Sequence, residues 1–146
     1  MFQLDLKTFF YPEINVKANQ DHMLKAKEGP VKEPETEVSM RYYLNEERKS
    51  IVGSVEVYTV DTDDDDPYEF RIEVVGMFLV SRFDEEEMQF GEEFELREKS
   101  LVRNAVTILI GSVRDTLHTV TCKGPFGPVV LPTLYLAESD MPERSE

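Results

Sequence analysis

The chain has 146 residues, of which 16 are basic and 30 acidic, so its formal net charge is −14. A chain of this size buries roughly 68–70% of the surface of its unfolded form, which allows one domain with its own core. The acidic excess argues against DNA, RNA and anionic membranes as partners, since phosphate binding depends on Lys and Arg, and it favours a basic protein surface or simple solubility.

Cysteine usage and the N-terminus indicate the compartment. Cys122 is the single cysteine of the sequence, which favours a reducing environment such as the cytoplasm. Residues 1–7 lack the basic start, apolar run and cleavage site of a signal peptide. No apolar stretch approaches the roughly 20 residues that cross a bilayer. We therefore expect one cytoplasmic domain over residues 1–146, without membrane insertion.

Four segments alternate apolar and polar residues with the period of a β-strand. The first covers residues 2–10 and continues irregularly past Pro12 to Val16; the others cover 38–44, 51–60 and 68–80. The fourth becomes apolar on both faces from Val75 onward. A polar stretch with Gly and Pro separates the first two strands and reads as a loop. Successive strands joined by short turns predict an antiparallel meander.

A long helix is predicted from Ser100, as its N-cap, to Gly124. The acidic residues 81–98 before it are expected to form an extended crossover segment. Residues 125–132 suit an extended segment that ties down the end of the helix, and the tail 138–146 is predicted to be disordered. The fold class is therefore α+β, a four-stranded antiparallel sheet packed on one long C-terminal helix. The main apolar stripe of the helix consists of Val102, Val106, Leu109, Val113, Leu117 and Val120.

Further apolar residues widen this stripe. Leu101, Ala105 and Ile108 lie to one side of it and Ile110 to the other, so the apolar arc covers about 200° at 100° per residue. One sheet cannot cover such an arc. Two explanations stay open: the crossover segment covers the excess within the chain, or the helix of a second subunit packs against it. The interface predicted by the second explanation contains Leu101, Val102, Ala105, Ile108 and Leu109.

Three groups of polar residues invite a chemical interpretation, and each has a simpler one. The aspartates at 61 and 63–66 lack the Gly and distal Glu of a calcium loop and fit a solvated turn. His118 and Cys122 are four residues apart on the polar side of the helix, without a third metal ligand nearby, and fit a surface pair. The glutamates at 85–87 and 92–93 have no accompanying catalytic constellation and fit a charged segment that flanks apolar residues. We predict no metal, no cofactor and no enzymatic activity.

The end of the helix and the residues after it resemble SecB, the cytosolic export chaperone of bacteria. The resemblance rests on Arg114-Asp115 and on Lys123-Gly124-Pro125-Phe126-Gly127-Pro128-Val129-Val130-Leu131-Pro132. It extends more weakly to residues 75–80, 2–4 and 13–16. The resemblance implies a dimer of dimers that holds unfolded polypeptides without ATP, before their transfer to the SecA motor in protein export. Some relatives serve one client, such as an antitoxin.

The resemblance also implies site residues. Glu13 and Glu73 align with acidic positions that dock SecA, whereas Lys17 reverses the charge of a third. Ile110-Gly111-Ser112 replaces an aromatic and proline pair, which makes the groove less aromatic. Ordinary core or interface packing is the alternative for the groove residues, and an oligomeric adaptor that binds one folded partner is the alternative function. The client groove would contain Tyr43, Tyr58, Phe78, Phe83, Met88, Phe90, Phe94 and Ile110.

Overall fold

The computed structural model describes residues 2–21, 34–63, 65–82 and 90–145. In this part of the chain, four strands form one antiparallel sheet and one long helix packs on it, so the predicted α+β class is confirmed. The elements are β1 (Phe2–Ala18), β2 (Thr36–Asn45), β3 (Ser50–Thr59), β4 (Tyr68–Arg82), the helix α1 (Glu92–Cys122) and a short 3-10 helix (Glu138–Asp140).

The strand order is β1-β4-β3-β2, so the predicted meander is wrong for β1. β2, β3 and β4 follow one another as antiparallel neighbours, but β1 pairs with β4 from Phe2 opposite Arg82 to Ala18 opposite Tyr68. β4 is the strand that carries apolar residues on both faces, and a strand of this kind is best placed inside a sheet. Pairing with β1 on one side and β3 on the other gives β4 that position.

β1 contains two irregularities in its pairing with β4. The register shifts between Leu6 and Thr8 and again between Phe10 and Glu13. The second shift includes Pro12, which has no N–H to donate to the ladder and is therefore tolerated at a bulge. Each shift exchanges the face on which the following side chains lie.

The helix α1 has 31 residues and begins eight residues before the predicted N-cap Ser100. Gly91 occupies the N-cap, and Glu92, Glu93 and Glu95 lie in the first turn. Carboxylates are favourable there because the helix N-terminus carries partial positive charge. The prediction of an extended segment is therefore wrong for residues 92–98. Residues 83–89 of the same predicted segment, with Phe83 and Met88, lie outside the described residues.

The core lies between the inner face of the sheet and α1. Five residues of the predicted helix stripe are buried, whereas Val120 is 38% exposed. Removing such a set of aliphatic side chains from water provides the main stabilisation of the fold. The buried residues of the strands and of the stripe include Ile51, Val55, Val57, Ile72, Val74, Phe78, Val102, Val106, Leu109, Val113 and Leu117.

Residues 125–145, here called the strap, return along α1 in the opposite direction. The Arg114 guanidinium donates to the Pro132 carbonyl at 3.2 Å, and the Lys99 ammonium donates to the Pro142 carbonyl at 2.7 Å. Leu131 and Met141 are buried in the core. The predicted disorder from residue 138 is therefore wrong for the described residues 138–145.

The strap and β1 account for most of the wide apolar arc. Ile110 is 3% exposed and lies on the side of α1 that binds the strap, whereas Leu101 and Ala105 are buried on the other side. On that side, Phe2 of β1 packs edge-to-face against Phe94 with ring centroids 6.0 Å apart. The arc therefore needs no second subunit to bury most of it, and Ile108 remains 47% exposed.

Candidate functional site

The outer face of the sheet, opposite α1, carries an apolar patch. Phe10 is opposite Val75, and Tyr43 is opposite Val52, which is in turn opposite Met77. Directly opposite residues of neighbouring strands share a face, and so do Val75 and Met77, which are two residues apart on β4. These five side chains therefore form one surface, here called the outer patch. Phe10 is 58% and Tyr43 48% exposed. Together they present aromatic and thioether groups to solvent.

A row of glutamates borders the outer patch. Glu13 lies opposite Glu73, which lies opposite Glu56 on β3. The structure therefore brings together the two acidic residues predicted as a partner-binding face and adds a third. Glu56 forms an ion pair with Arg71, and the Ser54 hydroxyl donates to Glu73 at 3.3 Å. Like charges directly opposite one another repel, so this row favours a basic partner.

Tyr58 lies on the same face, beyond the glutamate row. The Arg71 guanidinium is 4.5 Å from its ring centroid, and its hydroxyl donates to Glu37 at 3.0 Å. This hydrogen bond to a carboxylate holds the pKa of Tyr58 above its ordinary value. The Tyr58 ring is therefore already engaged by polar neighbours.

The predicted groove residues do not come together in one place. Phe78, Phe94 and Ile110 are buried in the core at 0–3% exposure. The Phe90 ring stacks on that of Phe94 with the centroids 4.3 Å apart. The Lys49 ammonium lies 5.2 Å from the centroid of the Phe90 ring. Tyr43 and Tyr58 lie on the opposite face of the sheet. A role of these residues in client binding stays a prediction, as does the role of Phe83 and Met88.

A second exposed apolar region lies where β1 runs beside α1. The hydroxyl of Thr116 donates to that of Tyr11 at 2.9 Å, and Tyr11 also hydrogen-bonds the Ser112 hydroxyl. Ser112 and Thr116 belong to a ridge of residues four apart that also contains Ile108 and Val120. We call this region the β1 flank, and its exposed apolar members are Phe9, Ile14, Ile108 and Val120 at 38–49% exposure.

Of the predicted oligomer interface, only Ile108 belongs to this exposed region. Leu101, Val102, Ala105 and Leu109 are 0–6% exposed within the described chain, so they are not free to contact another subunit. Self-association itself stays a prediction.

The end of the strap is fixed by a buried carboxylate. Glu98 of α1 is 8% exposed. Its carboxylate accepts a hydrogen bond from the Tyr42 phenol at 2.5 Å and forms an ion pair with the Arg144 guanidinium. Burial raises the pKa of the Glu98 carboxyl, but the hydrogen bonds from Arg144 and Tyr42 outweigh it, so the net pKa is lowered. Burial and the donated hydrogen bond raise the pKa of Tyr42 well above its ordinary value. No sequence pattern predicts this contact, because the apolar residues of the tail are not spaced with the period of a helix or a strand.

The polar groups considered as metal ligands also have local partners. In the aspartate loop, the Asp63 amide donates to the Asp66 carboxylate at 2.9 Å and the Asp65 amide donates to Asp63 at 2.8 Å. The Cys122 sulfur lies 3.6 Å from Nδ1 of His118 at the surface. Among the described residues, no group of three or more His, Cys, Asp or Glu side chains could hold a metal ion. In the described ranges, neither α1 nor the short 3-10 helix has the length and apolar character of a membrane span.

Comparison with solved structures identifies the fold. It is similar to that of the Mycobacterium tuberculosis Rv1957 SecB-like chaperone in complex with a ChAD peptide from the Rv1956 HigA1 antitoxin. The TM-score is 0.59 and the identity 14%, over 90% of this chain and 88% of that chain. A protein of unknown function from Streptococcus agalactiae is similar with a TM-score of 0.46 and 16% identity, over 91% of this chain and 99% of that one.

No protein-family model matches the chain, and no curated protein is similar to it in sequence. The structural similarity to the SecB-like chaperone nevertheless confirms, at the level of the fold, the resemblance to SecB that the sequence shows.

Proposed function

We propose that the protein is a SecB-like holdase, which binds unfolded or partly folded polypeptides without ATP. The observation that carries this proposal is the outer patch, where Phe10 and Tyr43 expose aromatic rings on a sheet of the SecB-like fold. Aromatic and Met side chains bind varied apolar segments because they do not demand one geometry. The solved neighbour binds a peptide from an antitoxin, which supports a polypeptide client for this chain too.

The charge distribution supports the same function. The glutamate row beside the outer patch and the net charge of −14 attract basic segments of unfolded chains, and they keep loaded complexes apart through repulsion. A basic protein surface such as that of SecA is a further partner on this face, through Glu13 and Glu73. We place the protein in the cytoplasm and assign it no catalytic role.

We also propose that the protein acts as a homo-oligomer, a dimer or a tetramer. The β1 flank supports this proposal because four large apolar side chains on one side of the domain are each exposed by more than a third. Apolar surface that collects in one region is typical of protein interfaces.

Suppression of aggregation tests the holdase function. Light scattering from thermally unfolding citrate synthase and from reduced insulin should fall when the protein is added without nucleotide. The double variant Phe10→Ser/Tyr43→Ser should lose most of this protection, because it removes the two exposed rings of the outer patch. Tyr135→Ser is the matched control, since Tyr135 is 95% exposed on the strap.

An oligomeric adaptor that binds one folded partner is the alternative function. The adaptor would protect neither client, whereas a holdase protects both. Equal protection by the double variant and the control would show that the outer patch is not the binding surface.

A further inference from the structure

Among the described residues, β2 is an edge strand of the sheet, and its pairing with β3 is regular. It pairs with β3 from Thr36 opposite Thr59 to Asn45 opposite Ser50 without a register shift. β1, at the other edge, has two shifts. An edge strand without bulges presents a row of N–H and C=O groups on which another extended chain can pair. The geometry of β2 therefore suits the addition of a further strand.

The end of the strap already lies on this edge. The Ser145 amide donates to the Tyr42 carbonyl at 2.8 Å. Tyr42 is therefore a residue whose backbone groups point away from β3, and because this direction alternates along a strand, those of Val38 and Met40 point outward as well. Within the described residues, this is the one backbone hydrogen bond between the strap and β2. The chain thus shows at one residue how an extended peptide would bind.

A cleft lies beside this contact on the outer face. Its volume is about 340 Å³, and Ser145 is part of its lining, as are the polar residues Arg41, Ser54 and Glu73. The apolar part of the lining comes from Tyr43, Val52 and Val75, which are three members of the outer patch. A serine side chain is too small to fill a volume of this size. A larger apolar side chain at the position of Ser145 would bury itself against these residues.

The preceding residue faces the opposite way. Arg144 pairs with the buried Glu98, on the core side of the sheet. Successive side chains of an extended segment point to opposite faces, so the strap end presents a cation inward and a small residue to the cleft. A displacing peptide must replace that cation, because the buried Glu98 carboxylate would otherwise keep only the hydrogen bond from Tyr42 and lose its counter-charge, which is unfavourable.

We propose that a client binds as an added strand on β2 and displaces residues 142–145 of the strap. This inference rests on the proposed function and specifies its substrate: an extended segment in which a basic residue is followed directly by a large apolar one. The basic residue takes the place of Arg144 at Glu98, and the apolar residue fills the cleft. The strap end is then a competitor for the client site that the chain carries itself.

Backbone methylation of a peptide tests the added strand. The probe is a fluorescent ten-residue peptide with a central Arg-Leu pair, in two forms N-methylated at alternate residues, and its binding to the full-length protein is measured by anisotropy. In an added strand, only every second peptide N–H faces β2, so one form should lose at least about tenfold in affinity and the other little. Equal affinities of the two forms would overturn the inference.

Variants test the competition and the charge requirement. Arg144→Ala should tighten binding of the Arg-Leu peptide several-fold, because it releases the strap end. Arg103→Ala, which removes a contact to Glu138 farther along the strap, should not. Glu98→Gln should abolish the preference for Arg-Leu over a Gln-Leu peptide. A preference that persists in Glu98→Gln would contradict the role of Glu98.

Hydrogen exchange separates this inference from the proposed function. Bound peptide should slow exchange of the Met40 amide, which points outward, and leave that of Arg41, which pairs with β3, as it was. If the protein suppresses aggregation but the Met40 amide does not change, the edge site is wrong and the holdase function stands. If the peptide protects the Met40 amide but no aggregation is suppressed, the edge site stands and the holdase function is wrong.

Discussion

Two glycines determine how closely α1 approaches the sheet. Gly53 of β3 and Gly76 of β4 lie directly opposite each other, beneath Leu109. A Cβ added at Gly76 would lie 2.8 Å from Cδ2 of Leu109 and 3.3 Å from the Phe78 ring. Leu109 is 1% exposed, so its side chain has little room to move. The absence of side chains at these positions therefore allows the helix to pack on the middle of the sheet.

We predict that Gly76→Ala destabilises the protein by about 1–3 kcal/mol, the usual cost of overpacking a core. The measurement is the free energy of unfolding in urea. Gly111→Ala is the matched control, because Gly111 lies in α1 with no atom within 4 Å of an added Cβ. Alanine is the better helix former, so this variant should gain about 0.5–1 kcal/mol. Equal effects of the two variants would contradict the packing of Leu109 on Gly76.

The Glu98 contact makes stability depend on pH at both ends of the scale. The pKa of Glu98 is lowered in the folded protein, so its contribution is complete above the ordinary value of 4.5 and is lost as the pH falls below it. The pKa of Tyr42 is raised above 10.0, so its contribution is complete below pH 10 and is lost as the pH rises further. Stability should therefore be maximal between these limits.

We predict that Glu98→Gln costs about 1.5 kcal/mol at pH 7, since hydrogen bonds to charged groups contribute roughly 1.5–3 and Arg144 is partly exposed. The difference from the parent should shrink as the pH falls below 4.5. For Tyr42→Phe, the difference should shrink above pH 10. Urea unfolding over the pH range measures both differences.

Glu95→Gln is the control, because Glu95 lies on the exposed side of the same helix, and it should cost less than about 0.5 kcal/mol at pH 7. A constant Glu98→Gln difference down to pH 3 would refute the assignment.

At the scale of elements, local patterns predicted most strands and the end of the helix. Period-two alternation located β2, β3 and β4 to within two residues at each end, because a half-buried strand must alternate. The run of acidic residues in the N-terminal part of α1 favours an extended segment, and this prediction is wrong for residues 92–98. Phe94, Glu98, Leu101 and Val102 continue the helical spacing of the buried residues, so the signal was present.

Other features depend on contacts between distant residues. Alternation from Phe2 through Leu6 places Phe10 on the inner face, but the first register shift of β1 moves it to the outer patch. The position of β1 next to β4, and of the strap along α1, likewise follows from pairing over many residues of separation. Such pairings leave little pattern in a single sequence. Glu13 and Glu73 lie opposite each other in the sheet, and the resemblance to SecB rather than the residues alone pairs them; their role in partner binding stays a prediction.

At the scale of the whole molecule, two apolar regions lie on different sides of one acidic domain. The outer patch faces away from α1, whereas the β1 flank lies beside the helix. A subunit that associates through the β1 flank therefore keeps its outer patch and β2 edge accessible to clients. This arrangement would let one assembly present several client sites, which increases avidity for a long unfolded chain.

We predict that the mass in solution is two or four times the 16.9 kDa of the chain, and that Ile108→Glu reduces it. A charge in the centre of an apolar interface loses its hydration without gaining a partner, which costs several kcal/mol. Leu96→Glu is the control, because Leu96 is 84% exposed near the start of α1.

Salt adds a test that depends on the sign of the charge. Subunits of net charge −14 repel each other, so association should strengthen as screening increases from low to moderate ionic strength. An interface held by ion pairs would weaken instead. Light scattering over a range of protein and salt concentrations measures both effects. A monomer at micromolar concentration under all these conditions would remove the β1 flank as an interface, and an oligomer that Ile108→Glu leaves intact would place the contact elsewhere.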